Sequence, residues 1–164
     1  MKSLLFVFII AGFAFLLSCN SSPKSPNNPP AIAKHLKYGR HCYTALFEKD
    51  SARLTFTFAK TNLVKGELHI NYYNKDTVSI QRQPTMGEFT GEFKGDTLFA
   101  DYTFTSGANG KDKYINPIAL LYRNDTLIMG SGKIYSYLGR TYFDDKTPIN
   151  FEKSRFRFTP SDCK

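Results

Sequence analysis

The stretch TLFADYTFT, residues 97–105, decides the fold, because its apolar side chains recur at every second position. One face of an extended chain would carry Leu98, Ala100, Tyr102 and Phe104. The opposite face would carry Asp101, Thr103 and Thr105. Such alternation is typical of a strand with one buried side and one solvent-facing side, which antiparallel sheets allow and buried parallel sheets do not.

The same period of two continues in both directions along the chain. Leu54, Phe56 and Phe58 alternate with polar residues, as do Leu68 and Ile70. The chain of 164 residues contains 15 Phe, 10 Tyr and no Trp, and aromatic residues are favoured in strands. We therefore expect an all-β domain without long helices.

Four aspartates, each followed by Ser or Thr, lie between these apolar runs: Asp50, Asp76, Asp96 and Asp125. An aspartate can accept a hydrogen bond from the backbone two residues on, so each is predicted to lie in a hairpin turn. The intervals between them fit a turn plus two strands. The pattern predicts an antiparallel meander of about eight or nine strands, forming a curled sheet or a small barrel. The predicted strands are 42–48, 52–60, 63–73, 77–82, 87–94, 97–105, 114–122, 126–136 and 150–158.

Proline and glycine mark special positions in two of these strands. Pro117 removes one backbone donor, so its strand is predicted to lie at an edge or to carry a bulge. Gly87, Gly91 and Gly95 recur at every fourth position, which predicts coiling or the close approach of a neighbouring strand.

The first eighteen residues differ from the rest of the chain. Met1 and Lys2 precede the run Leu4–Leu17, which is apolar apart from Gly12. Fourteen helical residues would extend about 21 Å, which is shorter than the roughly 30 Å hydrocarbon core of a bilayer. Residues 1–18 are therefore predicted to be an export signal.

The end of this signal, Leu16-Leu17-Ser18-Cys19, resembles the lipobox of bacterial lipoproteins. The resemblance implies that Cys19 is the lipidated residue and that the signal is cut before it. An ordinary secretory signal followed by a chance cysteine is the alternative. Asn20, rather than Asp, favours the outer membrane over the inner membrane by the same resemblance.

Residues 19–40 are predicted to be a lipidated tether rich in Pro, Ser and Asn, and residues 41–164 to be the folded domain. The formal charge of +8 becomes +7 without Lys2, which favours contact with an anionic membrane surface. Export and the lack of a nucleic-acid motif argue against nucleic acid as a partner.

The two remaining cysteines, Cys42 and Cys163, stand near the two ends of the predicted domain. Outside the cytoplasm an even pair predicts a disulfide, with two free thiols as the alternative. Such a bond would join the first strand to the last, which favours closure of the sheet into a barrel.

No motif for catalysis, metal or cofactor binding emerges. His35, His41 and His69 lack metal-ligand spacing. Paired carboxylates could be drawn from Glu88 and Glu92, or from Asp96 and Asp101, but turns and solvent-facing strand positions account for them. We therefore expect no bound metal, no cofactor and no enzymatic activity.

The run Gly91–Gly107, GEFKGDTLFADYTFTSG, resembles the G-D-T-L-x-A-x-Y-x-F core of a family of small, uncharacterised Gram-negative lipoproteins. Supporting features occur in the family's order: Cys42-Tyr43, Gly66-Glu67-Leu68, Tyr72, Asp76 and Asp162-Cys163. The family has no assigned activity, so the resemblance implies location and fold only.

The sequence thus predicts a membrane-tethered envelope lipoprotein of unknown activity. Its β-domain is expected to bind a small apolar ligand or an envelope protein without catalysis. The alternative is a hydrolase acting on the cell wall or on glycans. A cavity with converging acids would favour the hydrolase, whereas an interior filled with Phe and Tyr would favour binding at the surface.

Overall fold

The computed structural model describes residues 36–73, 85–106 and 112–163, and in these ranges the protein is all-β. The strands are β1 (Gly39–Phe47), β2 (Asp50–Phe58), β3 (Leu63–Asn71), β4 (Thr85–Lys94), β5 (Thr97–Ser106), β6 (Asp112–Arg123), β7 (Thr126–Met129), β8 (Ile134–Tyr137), β9 (Arg140–Phe143) and β10 (Arg157–Pro160). Within the same ranges, no helix is long and apolar enough to cross a bilayer.

Eight of these strands close into a small antiparallel barrel in the order β1-β10-β7-β6-β5-β4-β3-β2. The strands from β1 to β7 follow one another around the barrel as a meander, and β10 fills the place between β7 and β1. The remaining strands, β8 and β9, form a separate two-stranded sheet. The predicted all-β meander is therefore confirmed, with closure into a barrel.

The predicted alternation places apolar side chains inside the barrel. Leu54, Phe56, Phe58 and Tyr102 are all buried, and Phe104 packs against the same cluster while partly exposed. Large side chains from most of the barrel strands fill the interior, and those with less than 2% exposure include Phe56, Phe58, Phe89, Phe156 and Phe158. Burying one such ring contributes about 1.5–3 kcal/mol.

Three interior glycines lie where a neighbouring strand comes close. A Cβ atom at Gly91 would lie 2.1 Å from the carbonyl oxygen of Phe99, and one at Gly87 would lie 2.2 Å from that of Thr103. Gly66 has the same relationship to Thr55. The predicted close approach is confirmed at Gly87 and Gly91. Gly95 instead lies in the β4–β5 turn with φ +60°, so its role is conformational.

The first and last barrel strands are joined covalently. Cys42 and Cys163 form a disulfide with a Cα–Cα distance of 5.3 Å, which confirms the predicted pairing. The backbone register of β1 with β10 covers only Tyr43↔Pro160 and Thr44↔Thr159. Because so few residues pair there, the disulfide reinforces the seam at which the barrel closes.

Pro117 lies on β6 opposite Asp101 of β5. On its other side, β6 pairs with β7 only from Leu120 to Arg123. The prediction of an edge strand is wrong, since β6 lies between β5 and β7 in the barrel. Pro117 instead lies beyond the part of β6 that pairs with β7, where a missing N–H removes no bond to β7.

The last third of the chain differs from the prediction. The expected strand 126–136 ends at Met129, because the segment after Gly130 packs against residues 149–151 instead of continuing along the barrel. The expected strand 150–158 is represented by a single bridge between Asn150 and Ser131 and by the short β10. The hairpin formed by β8 and β9 was missed, because its side chains lack a simple alternation. The predicted strand 77–82 lies outside the described residues.

The folded domain begins earlier than the predicted boundary at residue 41. Leu36 is only 5% exposed and belongs to the core, and the ring of Tyr38 lies 5.1 Å from that of Phe58. The end of the predicted tether is therefore part of the barrel. The predicted signal, Cys19 and the rest of the tether lie outside the described residues.

Candidate functional site

The predicted turn aspartates occupy three different environments. Asp96 lies in the two-residue β4–β5 turn after Gly95, as expected. Asp125 lies with Asn124 in the β6–β7 turn, where both have positive φ, as in the type I′ turns that suit hairpins. Asp76 lies outside the described residues. The prediction is wrong in detail for Asp50, which is the first residue of β2 and follows the turn Glu48-Lys49.

Asp50 is buried, with 6% exposure, because it serves as an acceptor at one end of the barrel. The backbone N–H of Tyr73 donates to its Oδ1 over 2.7 Å. The guanidinium of Arg155 donates to its Oδ2. Arg155 also lies over the rings of Tyr72 and Phe156, at 5.1 and 5.7 Å from their centroids. These contacts join the start of β2 to the chain after β3 and to the segment before β10, so we assign the ion pair a structural role.

The histidines do not converge. His41 Nε2 lies 2.7 Å from the carbonyl oxygen of Lys37, and its ring stacks on Phe56. His69 lies 3.7 Å from the carboxylate of Glu67. His35 lies outside the described residues. Within the residues that the structure does describe, no three His, Cys, Asp or Glu side chains are arranged to hold a metal ion.

The carboxylates proposed from the sequence are not paired with each other. Glu92 is 3.9 Å from the ammonium of Lys94, and Asp101 accepts from Arg140. Glu88 instead lies directly opposite Glu67, across the β3–β4 ladder. The sequence analysis missed this pair because the match depends on strand register. Both side chains are exposed, so solvent screens their repulsion.

Two tyrosines near the β6–β7 turn have strongly perturbed hydroxyl groups. Burial raises the pKa of Tyr43 to about 12, with a further contribution from the charge of Asp125. Burial and a hydrogen bond from its hydroxyl to Asp125, 2.6 Å long, raise the pKa of Tyr122 well above its ordinary value. Both phenols are therefore neutral over the physiological range and act as packing groups.

Four concave features of the described residues are lined by side chains of the outer faces of the strands. One, of about 410 Å³, lies above Gly66 and is lined by Thr55, Thr57, Lys65 and Glu67 among others. Another, of about 360 Å³, surrounds Arg53 and His69. A third, of about 290 Å³, lies under Phe143 near Pro117. Glu88 also lines the first of these cavities, and Ser51 lines the second.

A fourth cavity, which we call the arginine groove, has a volume of about 450 Å³. It runs across the outer faces of β6, β7 and β10 and is bounded by the segment 149–152. Its apolar floor consists of Leu121, Ile128, Ile149 and Phe151. Two arginines, Arg123 and Arg157, stand at its rim.

The barrel ladder sets the geometry of this groove. Leu121 pairs with Ile128, which pairs in turn with Arg157, so the three side chains form a row on the outer face. Arg157 donates to the carbonyl oxygen of Glu152 over 3.3 Å. Among the described residues, neither Arg123 nor Arg157 has an acidic side chain within ion-pair distance. The groove therefore combines an apolar floor with two exposed arginines and one exposed acidic residue, Glu152.

A second surface feature is the aromatic hairpin, which comprises β8, β9 and their turn, residues 134–143. Arg140 anchors it to Asp101 of β5 and lies 5.3 Å from the centroid of Tyr142. Tyr135 stacks on Tyr142 at 5.7 Å. At its base, Asp144 donates its N–H to the carbonyl of Lys133 over 2.8 Å. The exposed apolar residues of this hairpin are Ile134, Tyr135, Tyr137 and Leu138.

Neither a family model, nor a curated protein, nor a solved structure matches this chain.

Proposed function

We propose that this protein is an envelope lipoprotein, anchored in the outer membrane through lipid on Cys19, whose barrel binds another envelope protein on its outer surface without catalysing a reaction. The proposal combines the export signal and lipobox of the sequence with the surface of the folded domain. The membrane tether supplies the location, and the barrel supplies the binding face.

The observation that carries the binding role is the contrast between the inside and the outside of the barrel. Phe56, Phe58, Phe89, Phe156 and Phe158 fill the interior and are almost wholly buried. A small apolar ligand would have to displace such side chains, and a close-packed core resists that. The arginine groove, in contrast, is open to a partner without rearrangement of the core.

The chemistry of the groove indicates the kind of partner. Arginine forms paired hydrogen bonds with carboxylates, and among the described residues neither Arg123 nor Arg157 is in an ion pair, although Glu152 also lines the groove. Leu121 and Ile128 offer an apolar floor between them. A protein segment with acidic side chains on either side of an apolar one fits this arrangement. The overall positive charge of the chain would steer such a partner towards it.

The anchor is tested by Cys19→Ala. We expect this variant to leave the membrane fraction, or to retain an uncleaved signal that shows in its mass, while the wild-type chain carries the added mass of acyl groups. A wild-type chain without acyl mass would contradict the anchor.

The groove is tested by affinity capture from native membranes with wild-type protein and with the double variant Arg123→Glu/Arg157→Glu. Proteins that bind through the groove should be recovered with the wild type and lost with the double variant. Arg53→Glu is the matched control, because Arg53 is also an exposed strand arginine but lies on the outer face of β2. Equal loss with Arg53→Glu would indicate a general effect of charge and would contradict the role of the groove.

A further inference from the structure

The turn of the aromatic hairpin contains an unusual residue. Leu138 has φ +49° and is followed by Gly139 with φ +76°. Positive φ is sterically unfavourable for leucine, and hairpin turns of this kind normally use Asn, Asp or Gly. The β6–β7 turn of the same barrel follows that norm, with Asn124 and Asp125 in equivalent conformations, whereas the β1–β2 turn departs from it with the polar Glu48 at φ +54°. Leucine therefore occupies position 138 against the local backbone preference.

Leu138 is also the most exposed large apolar residue in the described part of the chain, at 86%. Tyr137 beside it is 61% exposed, and Tyr135 is 53% exposed. An exposed leucine in a strained turn gains nothing from the folded domain alone. Such an outlier points to a contact that the isolated barrel does not contain.

The composition of the hairpin indicates the chemistry of that contact. Residues 134–143 read IYSYLGRTYF, with no acidic residue and one arginine, in a protein with 14 acidic residues. Tyrosines are enriched where a protein meets the interface between water and lipid, since their rings are apolar and their hydroxyl groups polar. An aliphatic residue at a projecting tip can enter the acyl boundary beyond them.

We propose that the tip of the aromatic hairpin docks on the surface of an anionic phospholipid bilayer, with Leu138 and Tyr137 entering the interface. The proposal rests on the proposed lipid anchor, which holds the barrel close to a bilayer and so makes the contact intramolecular. The net positive charge of the chain complements an anionic surface. A weak contact is sufficient under these conditions, since the anchor supplies the affinity.

The absence of tryptophan from the sequence gives a direct test. In Leu138→Trp, the new side chain is the only tryptophan of the full, lipidated chain. We would reconstitute this variant into vesicles of phosphatidylethanolamine and phosphatidylglycerol, with and without brominated acyl chains. We expect its emission to be shifted to the blue relative to that of a tryptophan exposed to water. We also expect strong quenching by the brominated lipid.

Leu46→Trp is the matched control, because Leu46 is 79% exposed but lies on β1, away from the hairpin. Its emission should remain typical of water and should not be quenched. Equal quenching at both positions, or none at position 138 while the protein floats with the vesicles, would overturn the hairpin proposal and leave the anchor standing. Failure of the lipidated protein to float would overturn the anchor and this proposal with it.

A second comparison separates docking from folding. Tyr137→Trp reports on the tip with Leu138 in place, and Tyr137→Trp/Leu138→Asn replaces the leucine by a residue that suits the turn. We expect quenching to fall severalfold in the double variant, with an unchanged or higher denaturant midpoint. Unchanged quenching would show that Leu138 does not enter the bilayer, and a blue shift that appears only when native membrane proteins are added would show a protein as the occupant. Either result would overturn the proposal.

Discussion

Arg155 and Asp50 form an ion pair across 105 residues of sequence, at the end of the barrel where β1 turns into β2. The carboxylate is nearly inaccessible, with 9% of its side chain exposed, whereas 38% of the arginine side chain is exposed. The pair therefore ties the segment before β10 to the first hairpin, and the carboxylate depends on its donors for solvation.

Replacing Asp50 by Ala should destabilise the domain by about 2–3 kcal/mol. Removing one partner of a buried ion pair costs about 3–5 kcal/mol, and the partial exposure of Arg155 reduces this. Urea unfolding measures the effect. Arg155→Lys retains the charge but loses the planar contact with Tyr72. Its unfolding free energy should therefore decrease less than that of Asp50→Ala. Equal stability of Asp50→Ala and wild type would contradict the role assigned to the pair.

Reduction of the disulfide should lower stability markedly. The bond closes a loop with a sequence separation of 121, and in the chain-entropy treatment such a loop is worth about 4–5 kcal/mol. Denaturant unfolding with and without reductant gives the difference, and Cys42→Ala/Cys163→Ala provides the variant without the bond. Hydrogen exchange should increase first in β10, because its pairing with β1 is short. Uniform loss of protection would argue against a local seam.

Gly91→Ala should be destabilising by about 1–3 kcal/mol. Its methyl group would lie 2.1 Å from the carbonyl oxygen of Phe99, and an overpacked site of this kind forces the backbone apart. Gly95→Asn is the control, because nothing lies within 4 Å of a Cβ there and asparagine tolerates positive φ. Thermal unfolding should separate the two variants clearly, and similar midpoints would contradict the close strand approach at Gly91.

Stability should fall in alkaline solution because of Tyr43 and Tyr122. The pKa of Tyr43 is raised from 10.0 to about 12, so the folded state retains a proton that the unfolded state releases. The stabilisation of the folded state by protonated Tyr43 is fully present below pH 10 and is lost as the pH rises through 12. Tyr122 acts in the same direction. Tyr43→Phe should flatten the decline between these two pH values in urea unfolding, and a pH profile identical to the wild type would exclude this source.

Local pattern was sufficient for the barrel strands. Leu54, Phe56 and Phe58 recur with the period of an extended backbone, so their common face follows from covalent geometry. The turn at Asn124-Asp125 was recognisable for the same reason, since its residues favour the required dihedral angles. The pairing of Cys42 with Cys163 followed from their number and their place at the two ends.

The candidate sites depended on contacts that no local pattern contains. The rim of the arginine groove combines Arg123 of β6 with Arg157 of β10, which are neighbours only because β10 enters the barrel beside β7. The pairing of Glu88 with Glu67 likewise depends on the register of two strands. The sequence did not predict the aromatic hairpin, because both of its faces are partly exposed and the alternation that identifies a strand is therefore missing.

The sequence alone determined that strands with one apolar side would form and that the two cysteines could join the ends of the domain, because both depend on the spacing of residue types along the chain. The tertiary structure decided which side chains share a surface and that Asp50 is buried instead of exposed in a turn. Those outcomes depend on strand register and on the closure of the barrel, which all the strands set together.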